Sequence, residues 1–301
     1  MRSILTLFIF LVMISASFAQ TSGFVDNGDC KTYFRTFGNK KPILIINGGP
    51  GMNSDGFEAL AKTLSKNNQT IIYDQRGTGK SVLDKVDGTT ITMKLMAEDI
   101  ERLRIHLKID KWIILGHSFG GMMASYYATI HPEHIESLIL SSSGGIDLET
   151  LSSSGRNLMA RLSTQETDSL EFWNNRIAHG DTTYHAKLHR GLALAPAYLY
   201  DRKNIRVIAE RLTQSNMKVN GIVWSDLQKI KFDCRAQVQS FTAPVLIIQG
   251  KQDIIAESIA IKEQRAFKNS RMVLIDQCSH YGWLDQPNKY YLEINKFISG
   301  A

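Results

Sequence analysis

The segment from Trp112 to Ile130 constrains this chain more than any other. Trp112-Ile113-Ile114-Leu115 is a run of apolar strand formers with no polar residue to turn towards water. It leads into Gly116-His117-Ser118-Phe119-Gly120, and Phe119 to Ile130 then reads as a helix stopped ahead of Pro132. A strand apolar on both faces must be covered on both faces, and a helix following directly is the usual cover. The chain is thereby committed to an α/β architecture with a mostly parallel sheet.

The same rhythm runs on both sides of that segment. Lys31 to Phe37, Ile43 to Ile46 and Thr70 to Tyr73 read as strands before it, with Met93 to Leu107 as an amphipathic helix. Leu138 to Leu140, Val245 to Ile248 and Met272 to Ile275 continue the strand series, and Tyr290 to Ile298 closes it as a helix. From Ile146 to Val238 the rhythm is interrupted. Strand-like runs give way to helix formers and aromatics, among them Phe172, Trp173, Tyr184, Tyr198, Tyr200 and Trp224. The 301 residues thus divide into a core, 24–145 with 239–301, and a helical cap inserted at 146–238 after the strand Leu138 to Leu140.

Residues 1–19 are of another kind. Arg2 precedes an apolar stretch, Ile4 to Ile14, too short to span a bilayer, and Ser17-Phe18-Ala19 offers small residues for cleavage. The expectation is a cleaved export signal, a periplasmic or secreted mature chain starting at Gln20, and no lasting membrane anchor. Export permits disulfides, but Cys30, Cys234 and Cys278 are odd in number and show no metal-type spacing; all three are expected to be structural. A net charge of +6 without dense Lys/Arg runs gives no reason to expect a nucleic-acid partner.

Chemistry collects where the strands end. In open parallel sheets the active site lies at the carboxyl ends of the strands, and Gly116-His117-Ser118-Phe119-Gly120 is a G-x-S-x-G turn there. The turn exposes the Ser118 hydroxyl, a weak nucleophile that needs a base. After the cap, Val245 to Ile248 runs into Asp253, and Met272 to Ile275 runs into His280. The order Ser, Asp, His assigns Ser118 as nucleophile, His280 as base and Asp253 as the group that orients it. Asp276 and Asp285 compete for that last role but stand on the wrong side of the strand order. The backbone N–H groups of Phe119 and Gly49 are the expected oxyanion donors.

Two other patterns carry less. Gly79-Lys80-Ser81 brushes against a phosphate loop, but Asp74 stands where the pattern requires glycine. His185 and His189, four apart, could share a metal but show no third ligand, so no metal or cofactor is expected.

On these residues the chain resembles the proline iminopeptidase family of α/β-hydrolases. Asn47-Gly48-Gly49-Pro50-Gly51 is similar to its H-G-G-P-G loop, and Asp74 to Ser81 to its D-Q-R-G-x-G-x-S stretch. Asn47 replaces the usual histidine, and G-H-S-F-G stands where true proline iminopeptidases commonly have G-G-S-W-G. The resemblance implies an α/β-hydrolase fold and a serine hydrolase acting through an acyl-enzyme, with an aminopeptidase on short peptides as the first expectation. It also implies a cap glutamate holding the substrate's amine: Glu210 first, Glu171 as an outsider. Trp173, among the cap aromatics, is a further candidate for substrate binding. A carboxylester or lactone hydrolase of small molecules is the second expectation, and a silent hydrolase-fold binding protein the third.

Overall fold

The computed structural model describes residues 20–149 and 154–300. The expected export signal, 1–19, lies outside the described residues. Eight strands form one sheet: β1 (Thr21–Asp26), β2 (Lys31–Phe37), β3 (Pro42–Ile46), β4 (Gln69–Tyr73), β5 (Trp112–His117), β6 (Ile135–Ser141), β7 (Val245–Gly250) and β8 (Ser270–Ile275). Their order in space is β1-β2-β4-β3-β5-β6-β7-β8. β1 and β2 pair antiparallel, as do β2 and β4, and every later pairing is parallel.

Alternation along each strand sorts side chains to the two faces. On one face Leu44, Ile46, Ile114 and Leu140 pack with Met96, Ile100 and Leu103 of α2 (Met93–His106) and Met122, Met123 and Tyr127 of α3 (Phe119–Ile130). On the other, Ile43, Ile45, Ile113, Leu115 and Ile139 pack with Leu60, Ala61 and Leu64 of α1 (Glu58–Leu64) and with Tyr290 and Ile294. Burying each such side chain contributes about 1.5–3 kcal/mol.

β1 was not foreseen, and the expected start of the core at 24 falls inside it. It is an edge strand with only Val25 buried, so its sequence carries no apolar run to betray it. The one strand that runs against the others, β2, also lies at this end of the sheet.

Between β6 and β7 the described chain holds helices: α4 (Ser154–Met159), α5 (Thr164–Ala178), α6 (Tyr184–Leu194), α7 (Ile205–Leu212) and α8 (Met217–Lys229). The insert leaves and rejoins the core at one point, where Asp147 and Asp233 pair as an isolated bridge and the Cys234 N–H donates to Ile146 O at 2.8 Å. α9 (Glu257–Ala266), the single-turn α10 (Gly282–Asp285) and α11 (Pro287–Ser299) complete the chain. Among the described residues no helix is long and apolar enough to cross a membrane.

The D-Q-R-G stretch after β4 is structural. Asp74 accepts from the Ser54 N–H and hydroxyl and the Lys80 N–H, and Arg76 pairs with buried Asp99 at 2.7 Å. Cys30, Cys234 and Cys278 are free and buried, and burial pushes the Cys30 thiol up to about 11 and that of Cys234 to about 12.

Candidate active site

Ser118 stands between β5 and α3 with φ 54° and ψ −121°, a backbone region that costs a non-glycine residue about 1–3 kcal/mol. Its neighbours hold it there. The Ser118 N–H donates to Ser141 O at 3.1 Å, and the N–H groups of Gly121 and Gly144 both donate to Ser118 O at 2.9 Å. The turn is tight enough that a Cβ on Gly120 would stand 2.0 Å from Ile46 O, and one on Gly48 would stand 2.7 Å from the Ser118 Cβ. Glycine is required at both positions by close approach.

His280 and Asp253 arrive on the loops after β8 and β7. His280 Nδ1 donates to Asp253 Oδ1 at 2.8 Å, with both side chains buried. The Ile255 N–H also donates to Oδ1 at 3.0 Å, and the His280 N–H donates to Tyr198 O at 3.1 Å. This pairing sets the tautomer that leaves Nε2 unprotonated, ready to take a proton. The rival carboxylates are otherwise employed. Asp285 accepts the N–H groups of Tyr200, Asp201 and Ser279, while Asp276 lies exposed beside Gln252.

A cavity of about 310 Å³ joins these parts, lined by Ser118, His280, Gly49, Phe119 and residues of the cap. Among the described residues, neither the Gly49 N–H nor the Phe119 N–H has a protein acceptor. That of Phe119 is a first-turn donor of α3, where the helix dipole favours negative charge. His117 packs beside His280 with ring centroids 4.7 Å apart. Burial, aided by the charges of His280 and Arg211, drives its pKa well below the usual range, so it stays neutral.

The cap residues expected from sequence are not brought to this cavity. Glu210 is on the surface of α7, accepting from the Tyr184 hydroxyl and from Arg206 at 3.3 Å. Glu171 is exposed on α5. Trp173 stacks on His189 at 4.9 Å and meets His185 edge-on at 5.4 Å, away from Ser118. The charged side chains that the cap does contribute to the lining are Arg190 of α6 and Arg211 of α7, and among the described residues no carboxylate lines the cavity.

Arg211 is buried and grips the glycine loop. Its Nη2 donates to Gly48 O at 2.8 Å, its Nε to the Tyr281 hydroxyl at 3.2 Å, and its guanidinium lies over the Phe57 ring. Two further bonds join the same stretch of cap to the loop: the Asn216 N–H to Gly51 O and the Asn220 side chain to Pro50 O, both at 2.9 Å. The signal for both arginines was present in the sequence. Arg211 stands with Ile208 and Leu212, and Arg190 with Ala186 and Leu194, at the helical spacing of a buried stripe.

Known proteins carry the same frame. The model of the alpha/beta hydrolase fold family matches residues 41–287, and the chain belongs to that family. It is a hydrolase of that family. A proline iminopeptidase of Clostridium botulinum is 27% identical over 292 residues, covering 93% of this chain and 98% of that protein. Among solved structures, the proline iminopeptidase of Mycobacterium smegmatis superposes with a TM-score of 0.70 at 22% identity. A thermophilic esterase from Thermogutta terrifontis does so with a TM-score of 0.70 at 18% identity; each structure covers 93% of this chain and 98% of its own.

Proposed function

We propose that the protein is an exported serine hydrolase that cleaves small carboxylic esters through an acyl-enzyme on Ser118. The observation that carries the chemistry is the buried His280–Asp253 pair, 2.8 Å apart, opening on the cavity that holds the strained Ser118 turn. His280 Nε2 takes the Ser118 proton as Oγ attacks the carbonyl carbon, and the new oxyanion is held by the Gly49 and Phe119 N–H groups. One such donor is worth about 2.7–4 kcal/mol in the transition state. Collapse expels the leaving group with the proton from His280, leaving the acyl-enzyme. His280 then deprotonates water, which releases the acid and restores Ser118.

The lining favours esters over peptides with a free N-terminus. An ammonium group needs an anion or several acceptors, and the charged side chains at this cavity are guanidiniums. The aminopeptidase reading keeps one support, the 27% identity to a proline iminopeptidase along nearly the whole chain. A fluorophosphonate probe is expected to label the wild type and not Ser118→Ala. Short-chain 4-nitrophenyl esters are expected to turn over where proline and alanine arylamides do not. Arylamide turnover at rates matching the esters would return the aminopeptidase reading, and a folded wild type that resists the probe would remove catalysis altogether. Export rests on residues 1–19, and a secreted form beginning at Gln20 on N-terminal sequencing is the expected result.

A further inference from the structure

We infer that Arg190 is the receptor for a carboxylate on the substrate, so that this hydrolase acts on small esters bearing a free carboxylate group. The inference rests on the ester reading above and goes on to specify its substrate class. Arg190 projects from α6 into the cavity that contains Ser118. Its Nε donates to Asn174 Oδ1 at 2.7 Å, which fixes the plane of the guanidinium. Among the described residues Nη1 and Nη2 have no acceptor, and Arg190 has no carboxylate partner.

Three facts together point to an anion as the missing partner. First, the half-buried guanidinium sits beside an apolar wall of Leu158, Leu194 and Tyr198, where it loses part of its hydration with no counter-ion in its place, and burial accordingly lowers its pKa. It stays charged nonetheless, because arginine does not lose its proton in proteins. Second, the other cation of the lining, Arg211, already spends Nε and Nη2 on the Tyr281 hydroxyl and Gly48 O and keeps only a buried Nη1 without a partner, whereas Arg190 has both Nη groups to offer as a fork. Third, Asp253 is engaged with His280, and no carboxylate of the described lining opposes Arg190. A planar fork with two unclaimed Nη groups matches the two oxygens of a carboxylate. The cavity, at about 310 Å³, is at the small end for ligand sites and suits a short ester.

The carboxylate could reside on the acyl side or on the leaving group, and two matched pairs separate these. The acyl arm compares 4-nitrophenyl hydrogen adipate with 4-nitrophenyl methyl adipate. The leaving-group arm compares 4-acetoxybenzoate with its methyl ester. In one arm the ratio of kcat/KM for anionic over neutral ester is expected to fall about tenfold or more from wild type to Arg190→Gln, with Arg190→Lys recovering part of it. Ratios unchanged in both arms, with the neutral esters turned over, would overturn the inference and leave the ester reading standing. Calorimetric titration with adipate reads the receptor without turnover. Wild-type binding weakened about tenfold in Arg190→Gln is expected, whereas equal affinities, or no binding to wild type, would count against Arg190 even if no ester were a substrate.

Discussion

His280 has its Nδ1 committed to Asp253 in a buried bond, the arrangement that the proposed general base requires. His280→Gln keeps the ring's approximate volume without a base, and kcat on a 4-nitrophenyl ester is expected to fall by roughly 10³-fold or more. A fall below about tenfold would mean another base. Glu263 presents the opposite situation, a carboxyl buried on α9 with Oε1 unpartnered, where burial raises its pKa to about 8. In the unfolded chain it titrates near 4.3. Between these values the folded state holds one proton more than the unfolded state, so its stabilising contribution is whole below about pH 4 and declines as pH rises towards 8. Glu263→Gln is expected to gain on the wild type by up to ~1.4 kcal/mol per pH unit across that window in urea unfolding. A difference that does not change between pH 5 and pH 8 would contradict this.

At the scale of elements, the strands and their order were readable because buried parallel strands are apolar throughout. Ser118, Asp253 and His280 could be assigned from the strand each one follows. The cap was less readable. Its helices bury stripes of mixed character, and whether Glu210 or Arg211 turns inwards is a difference of one residue, about 100° around α7. α1 and α9 are short helices whose polar residues hide their pattern, and they too were passed over. The inward turn of α7 has a chemical outcome. A trans peptide aims its C=O and N–H in opposite directions. The Arg211 bond to Gly48 O therefore orients the Gly49 N–H on the same peptide unit. Arg211→Met is expected to lower kcat by about 10²-fold, in the range of losing one oxyanion donor, with a smaller effect on KM and with Arg211→Lys recovering part of the rate. A change in KM alone would assign Arg211 to ground-state binding.

Over the whole molecule, the site is a joint between two bodies of chain. Ser118, His280 and Asp253 belong to loops rooted in the sheet, whose strands are buried from β3 to β7. The loop from Asn47 to Met52 has a second set of moorings in 211–220, at Gly48, Pro50 and Gly51. Helices that depend on packing at one neck are expected to loosen before a sheet covered on both faces. Warming should therefore silence the enzyme while its β-sheet is still intact: ester turnover is expected to vanish some degrees below the far-ultraviolet melting transition, and to return on cooling. Coincident loss of rate and sheet would mean that the moorings survive as long as the core. On that expectation, those three hydrogen bonds would make the cap a thermal fuse for catalysis.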